Sequence, residues 1–107
     1  MAWVLIVVAG LCEVAMAYLL KRSDGFTHLW PTIGFAISAV LSFVLLSLAL
    51  KGLEVGTAYA VWTGIGAVGT VVLGILALGE DASPGKLVSI ALILIGVVGL
   101  NLAETRT

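Results

Sequence analysis

Charge is what this sequence has least of. Of its 107 residues, 10% are Asp, Glu, Lys or Arg and 62% are hydrophobic, and the mean hydropathy is +1.26. That balance excludes an ordinary soluble domain, in which about 25% of residues are charged. Cysteine is nearly absent as well: Cys12 stands alone, so no intrachain disulfide can form and no cysteine-based metal site is in view. Its expected role is that of a small packing residue. His28 is also single, placed among aromatics in a connecting segment, and is expected to serve surface or packing rather than ligation. The chain shows no nucleophile and base pair, no metal-ligand cluster and no cofactor motif. An enzyme is therefore not expected, nor a metal or cofactor, nor, at a formal net charge of −1, a nucleic-acid partner.

The few charges punctuate the chain. Apart from Glu13 they fall at Lys21, Arg22 and Asp24, at Lys51 and Glu54, at Glu80, Asp81 and Lys86, and at Glu104 and Arg106. Between them lie four apolar blocks, each about 18 to 22 residues, the length a helix needs to cross about 30 Å of hydrocarbon. The expectation is an all-α membrane protein: one domain over 1–107 with transmembrane helices at roughly 2–20, 30–50, 57–78 and 86–103. The two prolines fit this division. Pro31 suits the first turn of the second helix, and Pro84 follows Ser83, a good N-cap for the fourth. Asp24-Gly25 marks a turn and Trp30 suits the membrane interface. The first block lacks a basic leading region and carries a carboxylate, so it is expected to be a retained helix rather than a cleaved signal.

Positive charge is evenly shared between the two ends of such a bundle. Lys21, Arg22 and Lys86 lie on one side, Lys51, Arg106 and the terminal amine on the other. So small a bias allows insertion in both orientations, and opposite insertions can pair as an antiparallel dimer. In IALILIGVVGL, Gly96 and Gly99 form a small-residue seam of the kind that lets helix backbones approach, and it is expected to pack between subunits.

Glu13 is the exception to the punctuation, an acid inside an apolar run from Met1 to Leu20. Such a residue is costly in hydrocarbon and marks a functional site by default. Gly10, Ala9 and Ala17 share its face and are expected to leave room around the carboxylate. In the third block Tyr59, Trp62, Thr63 and Gly66 fall on one side at three- and four-residue spacings. One chamber can hold both groups. There the acid supplies charge, the two aromatics supply π faces for a cation, and the Tyr59 hydroxyl can donate to the carboxylate. Ser42, near the middle of the second block, is the hydroxyl expected beside Glu13. GIGAVG, residues 64–69, matches the GxGxxG dinucleotide fingerprint, but that fingerprint works after a strand and beside an aqueous crevice. Inside a span its glycines are expected to serve close contact and bending.

A carboxyl at such a site holds a proton or a cation in turn. If both compete for it and the site opens to alternate sides, protons flowing in drive cations out. Two copies of Glu13 facing one chamber would titrate as a coupled pair.

The acid in GLCEVAMA, followed by LKRSDGFTHLWPT, SFVLLSLAL, GTAYAVWTGIGAVG and a glycine-seamed last helix, resembles the small multidrug resistance transporters over essentially the whole chain. The resemblance implies a four-helix subunit, a dual-topology antiparallel dimer in the plasma membrane, and proton-coupled export of organic cations. By motif match the central acid is Glu13, the aromatic pair Tyr59 and Trp62, the supporting serine Ser42 and the small residue one turn before the acid Gly10. Met16 and Thr63 join them as chamber lining, with Gly96 and Gly99 in dimer packing. GTAYAVWTGIGA resembles the branch that exports guanidinium and small guanidinyl compounds. That branch usually has Trp where Met16 stands and Lys where Asn101 stands. Loss of the Trp resembles the multidrug branch and also the subunits of two-gene heterodimers. The expected function is therefore export of quaternary ammonium compounds and other cationic drugs, with guanidinium/proton exchange, or one subunit of a heterodimeric pair, as the alternative. A homodimer is expected, and a heterodimer stays open.

Overall fold

A computed structural model describes residues 1–106, with side chains through Ala103. The side chain of Arg106, which enters the charge balance above, lies outside the described residues. Four helices follow one another: α1 Ala2–Arg22, α2 Leu29–Ala49, α3 Val55–Ala77 and α4 Pro84–Arg106. All four are long and apolar enough to cross a membrane. At 21 to 23 residues, each covers about 30 Å at about 1.5 Å per residue. The all-α membrane fold expected from the charge pattern is the fold observed.

The connections are built by local chemistry. After α1, Ser23 turns inward and is fully buried. Its hydroxyl donates to the Leu20 carbonyl at 2.7 Å and accepts from the Phe26 amide at 3.2 Å. Around it Asp24, Gly25 and Phe26 all take positive φ, 48°, 70° and 68°, and the Thr27 hydroxyl donates to the Asp24 carbonyl at 2.7 Å. At the start of α4 the Lys86 amide donates to the Ser83 hydroxyl at 3.3 Å, the cap that the Ser-Pro pair announces.

The packing is lopsided. α1 lies between α2 and α3, α4 leans only on α3, and α2 scarcely meets α3. The buried residues Ile6, Ala9, Ala49, Leu53, Ala58, Val61 and Trp62 form a small core where α1 crosses its two neighbours. None of the described side chains of α4 is buried. The helices spread into a slab of 46 × 34 × 16 Å, too thin to wrap around a central chamber. The α1–α3 contact is close because glycines line it. A Cβ at Gly10 would come within 2.7 Å of Ile65, and one at Gly69 would strike Val14. Gly64 faces the other way, where a Cβ would lie 3.0 Å from Val97 of α4. The GIGAVG glycines are therefore helix-contact positions on two faces of α3, and no strand precedes them among the described residues.

Candidate functional site: a carboxylate on a glycine berth

Glu13 sits midway along α1 and turns toward α3. Its carboxylate rests directly on Gly66, where any Cβ would collide with it. Oε1 is buried and accepts no hydrogen bond among the described residues. A buried carboxylate oxygen without a donor is an expensive arrangement, and it marks the place where a donor is wanted.

Beside it an open groove of about 410 Å³ runs between α1 and α3 toward the end of the molecule that bears the first and third loops. From α1 it takes Glu13, Met16, Ala17 and Leu20, which follow the helical repeat along one stripe. From α3 it takes Thr63, Gly66, Ala67, Thr70 and Val71. Apart from the acid, the polar side chains in its lining are, among the described residues, the two threonine hydroxyls.

The residues singled out in the sequence separate into two groups. Glu13, Met16 and Thr63 share the groove. Ser42, Trp62 and Tyr59 form a neighbouring cluster. The Trp62 indole N–H donates to the Ser42 hydroxyl at 2.8 Å, and that hydroxyl donates to the Ala9 carbonyl at 2.8 Å. Ser42 was expected beside Glu13, but it is committed to the backbone of α1 and to Trp62, which ties α2, α1 and α3 together. The Trp62 ring is nearly closed off, at 6% exposure, under Phe43 and Tyr59 with ring centroids 5.4 and 5.8 Å away. Tyr59 itself is open, at 60% exposure.

Gly10 also differs in role from its expectation. It is spent on the contact with Ile65, and the room for the carboxylate comes from Gly66 across the interface. Gly66 was visible on the Tyr59–Trp62–Thr63 stripe; what periodicity withholds is which helix that stripe faces. Ala67, Thr70 and Val71 were missed, since they read as ordinary span residues until the groove brings them to the acid. Phe43 was missed for the same reason. Among the described residues, no atom of another element lies within 4 Å of where a Cβ would stand at Gly96 or Gly99. No group of three His, Cys, Asp or Glu side chains is placed to hold a metal among the described residues.

Four helices long enough to cross a membrane, with a buried acid opening on a groove, are the architecture of a small multi-pass membrane protein. The chain belongs to the Small Multidrug Resistance protein family, whose model matches residues 1–93. It is 54% identical over 104 residues to a guanidinium exporter of Yersinia pseudotuberculosis, which covers 97% of this chain and all of that one. Guanidinium exporters of Salmonella typhimurium and Escherichia coli K12 are 52% and 50% identical over 103 residues, 96% of this chain and 98% of each relative. The protein is thus a multi-pass exporter of the cell membrane, and family and relatives alike point to transport rather than enzymatic catalysis.

Proposed function

We propose that this chain exports guanidinium in exchange for protons, with Glu13 as the group that both occupy in turn. The observation that carries the proposal is the buried Oε1 of Glu13, lying on Gly66 without a donor, at the wall of the α1–α3 groove. Guanidinium is planar and presents paired N–H donors that match a carboxylate two by two, so it can satisfy both oxygens at once. A proton satisfies one oxygen and removes the charge. The two ligands are therefore mutually exclusive on one carboxyl, and exclusive occupancy is what couples their fluxes. The threonine hydroxyls in the groove offer acceptors to the remaining N–H groups.

The names of the relatives move the balance between the two substrate classes. Quaternary ammonium drugs were the leading expectation because Met16 replaces the tryptophan of the guanidinium branch. Near-full-length identity of 50–54% to guanidinium exporters supports guanidinium instead. A second class of substrate keeps one observation in its favour: Met16 lines the groove, and a slim, adaptable thioether there leaves room for a bulkier cation.

The exporting unit in this proposal is an antiparallel dimer of this chain. A slab 16 Å thick encloses no chamber alone, and the glycine seam of α4 meets no neighbouring helix among the described residues. Two slabs facing each other close the grooves and give the seams a partner. A heterodimer with a related chain meets the same requirements and is separated by whether the purified single chain transports.

The test is purified protein in liposomes under an imposed pH gradient, offered guanidinium and then a tetraalkylammonium ion. Guanidinium-driven proton movement that vanishes in Glu13→Gln supports the proposal. Tetraalkylammonium exchange without guanidinium exchange supports the second substrate class, and exchange that persists in Glu13→Gln contradicts the role of the acid.

A further inference from the structure

A second cavity, of about 380 Å³, lies at the turn between α3 and α4, outside the Glu13 groove. Its polar lining is Glu80, Ser83, Lys86 and Ser89, and its apolar walls include Val71. Val71 also lines the Glu13 groove, so one side chain forms a wall common to both.

Glu80 is held there by the fold. Gly79 takes φ +69° and turns the chain back, which brings the Glu80 amide onto the Gly74 carbonyl at 3.0 Å. The Glu80 carboxylate then lies on Gly74 itself, where a Cβ would collide with it. This puts a negative charge at the C-terminal end of a helix, whose unsatisfied carbonyls already carry a partial negative charge. The usual complement at that position is a cation, and the last turn of α3 contains no basic residue. Lys86 borders the cavity, yet Glu80 makes no ion pair among the described residues. The Ser83 hydroxyl accepts from the Lys86 amide at 3.3 Å and the Ser89 hydroxyl donates to the Gly85 carbonyl at 2.8 Å. Each oxygen keeps a lone pair for another donor.

We propose that this cavity is an outer binding site for the transported organic cation, with Glu80 as its charge and Ser83 and Ser89 as supplementary acceptors. Its ligand is identified through the guanidinium reading of the preceding section. Glu80 is exposed, so solvent screening makes the site weak, and its effect is to concentrate cations near the groove rather than to hold them. Lys86 opposes that effect by like-charge repulsion.

Two measurements test it on the purified full-length chain. The first is guanidinium chloride titration of Glu13→Gln protein, followed by backbone amide NMR, with sodium chloride at matched ionic strength as the blank. Shifts confined to Gly74, Glu80 and Ser83, lost in the Glu13→Gln/Glu80→Gln double variant, are expected; no shift beyond the blank overturns the proposal. The second is transport in liposomes. Glu80→Gln is expected to raise the guanidinium KM about threefold with kcat unchanged, a difference of about 0.7 kcal/mol, while Lys86→Gln lowers the KM. Asp81→Asn, which removes the adjacent acid outside the cavity, leaves both constants alone. Equal KM values in wild type and Glu80→Gln, or an equal effect from Asp81→Asn, overturn it. Failure of wild-type protein to exchange guanidinium would sink the proposed function, whereas shifts around Glu80 in that case would still establish a guanidinium-binding site at the α3–α4 turn.

Discussion

Glu13 and Gly66 meet across the α1–α3 contact, and the glycine sets where the carboxylate can rest. Gly66→Ala puts a Cβ into the space the carboxylate occupies, so the acid must leave its berth. Guanidinium turnover is expected to fall by at least about tenfold, the effect of losing about 1.4 kcal/mol, with insertion and yield retained. Turnover at the wild-type rate would show that the berth has no part in transport. Ser42→Ala acts differently, because Ser42 touches Trp62 and Ala9 and not the acid. Leaving the indole N–H without its acceptor should cost about 1 kcal/mol of stability, read as a lowered melting temperature in detergent. At this scale the sequence was legible in part. An acid in an apolar run announces itself whatever surrounds it. The partner of a serine does not, since a hydroxyl at mid-span has several acceptors within reach and only the helix crossing selects one. The crossing placed Ala9 and Trp62 at Ser42 and sent Glu13 to Gly66.

Helices were the most legible elements, because membrane thickness and the cost of unpaired backbone in lipid leave little choice of length or type. The ends moved by a few residues: α1 runs on to Arg22 and α4 begins at Pro84. Both shifts have local causes, the Ser23 turn that gathers the end of α1 and the Ser83 cap that starts α4 one residue after itself. Ser83→Ala should loosen that start by about 1 kcal/mol, visible as faster amide exchange through the first turn of α4. Which faces of the helices meet was not legible, since lipid and protein interior are equally apolar and hydrophobic patterning loses its direction. α4 is the clearest case, a helix whose glycine seam finds no close partner among the described residues. Gly96→Leu with Gly99→Leu is expected to abolish cross-linking between subunits while leaving the monomer inserted. Undiminished cross-linking would mean the seam packs elsewhere.

A thin slab with an acid on an open groove is the half-unit that the proposed antiparallel dimer requires. The near balance of Lys and Arg between the two ends of the bundle gives no strong reason for a single orientation. Reporters fused to the C-terminus are expected to be found on both sides of the membrane in comparable amounts, and a single orientation would contradict an antiparallel homodimer. The proposed function rests on a single carboxyl that exchanges guanidinium for protons. Its most direct measurement is guanidinium-driven proton flux into liposomes containing only this chain, compared with Glu13→Gln. Flux should reverse with the guanidinium gradient and be absent from the variant. Flux that survives the substitution, or wild-type protein that moves guanidinium without protons, would contradict it.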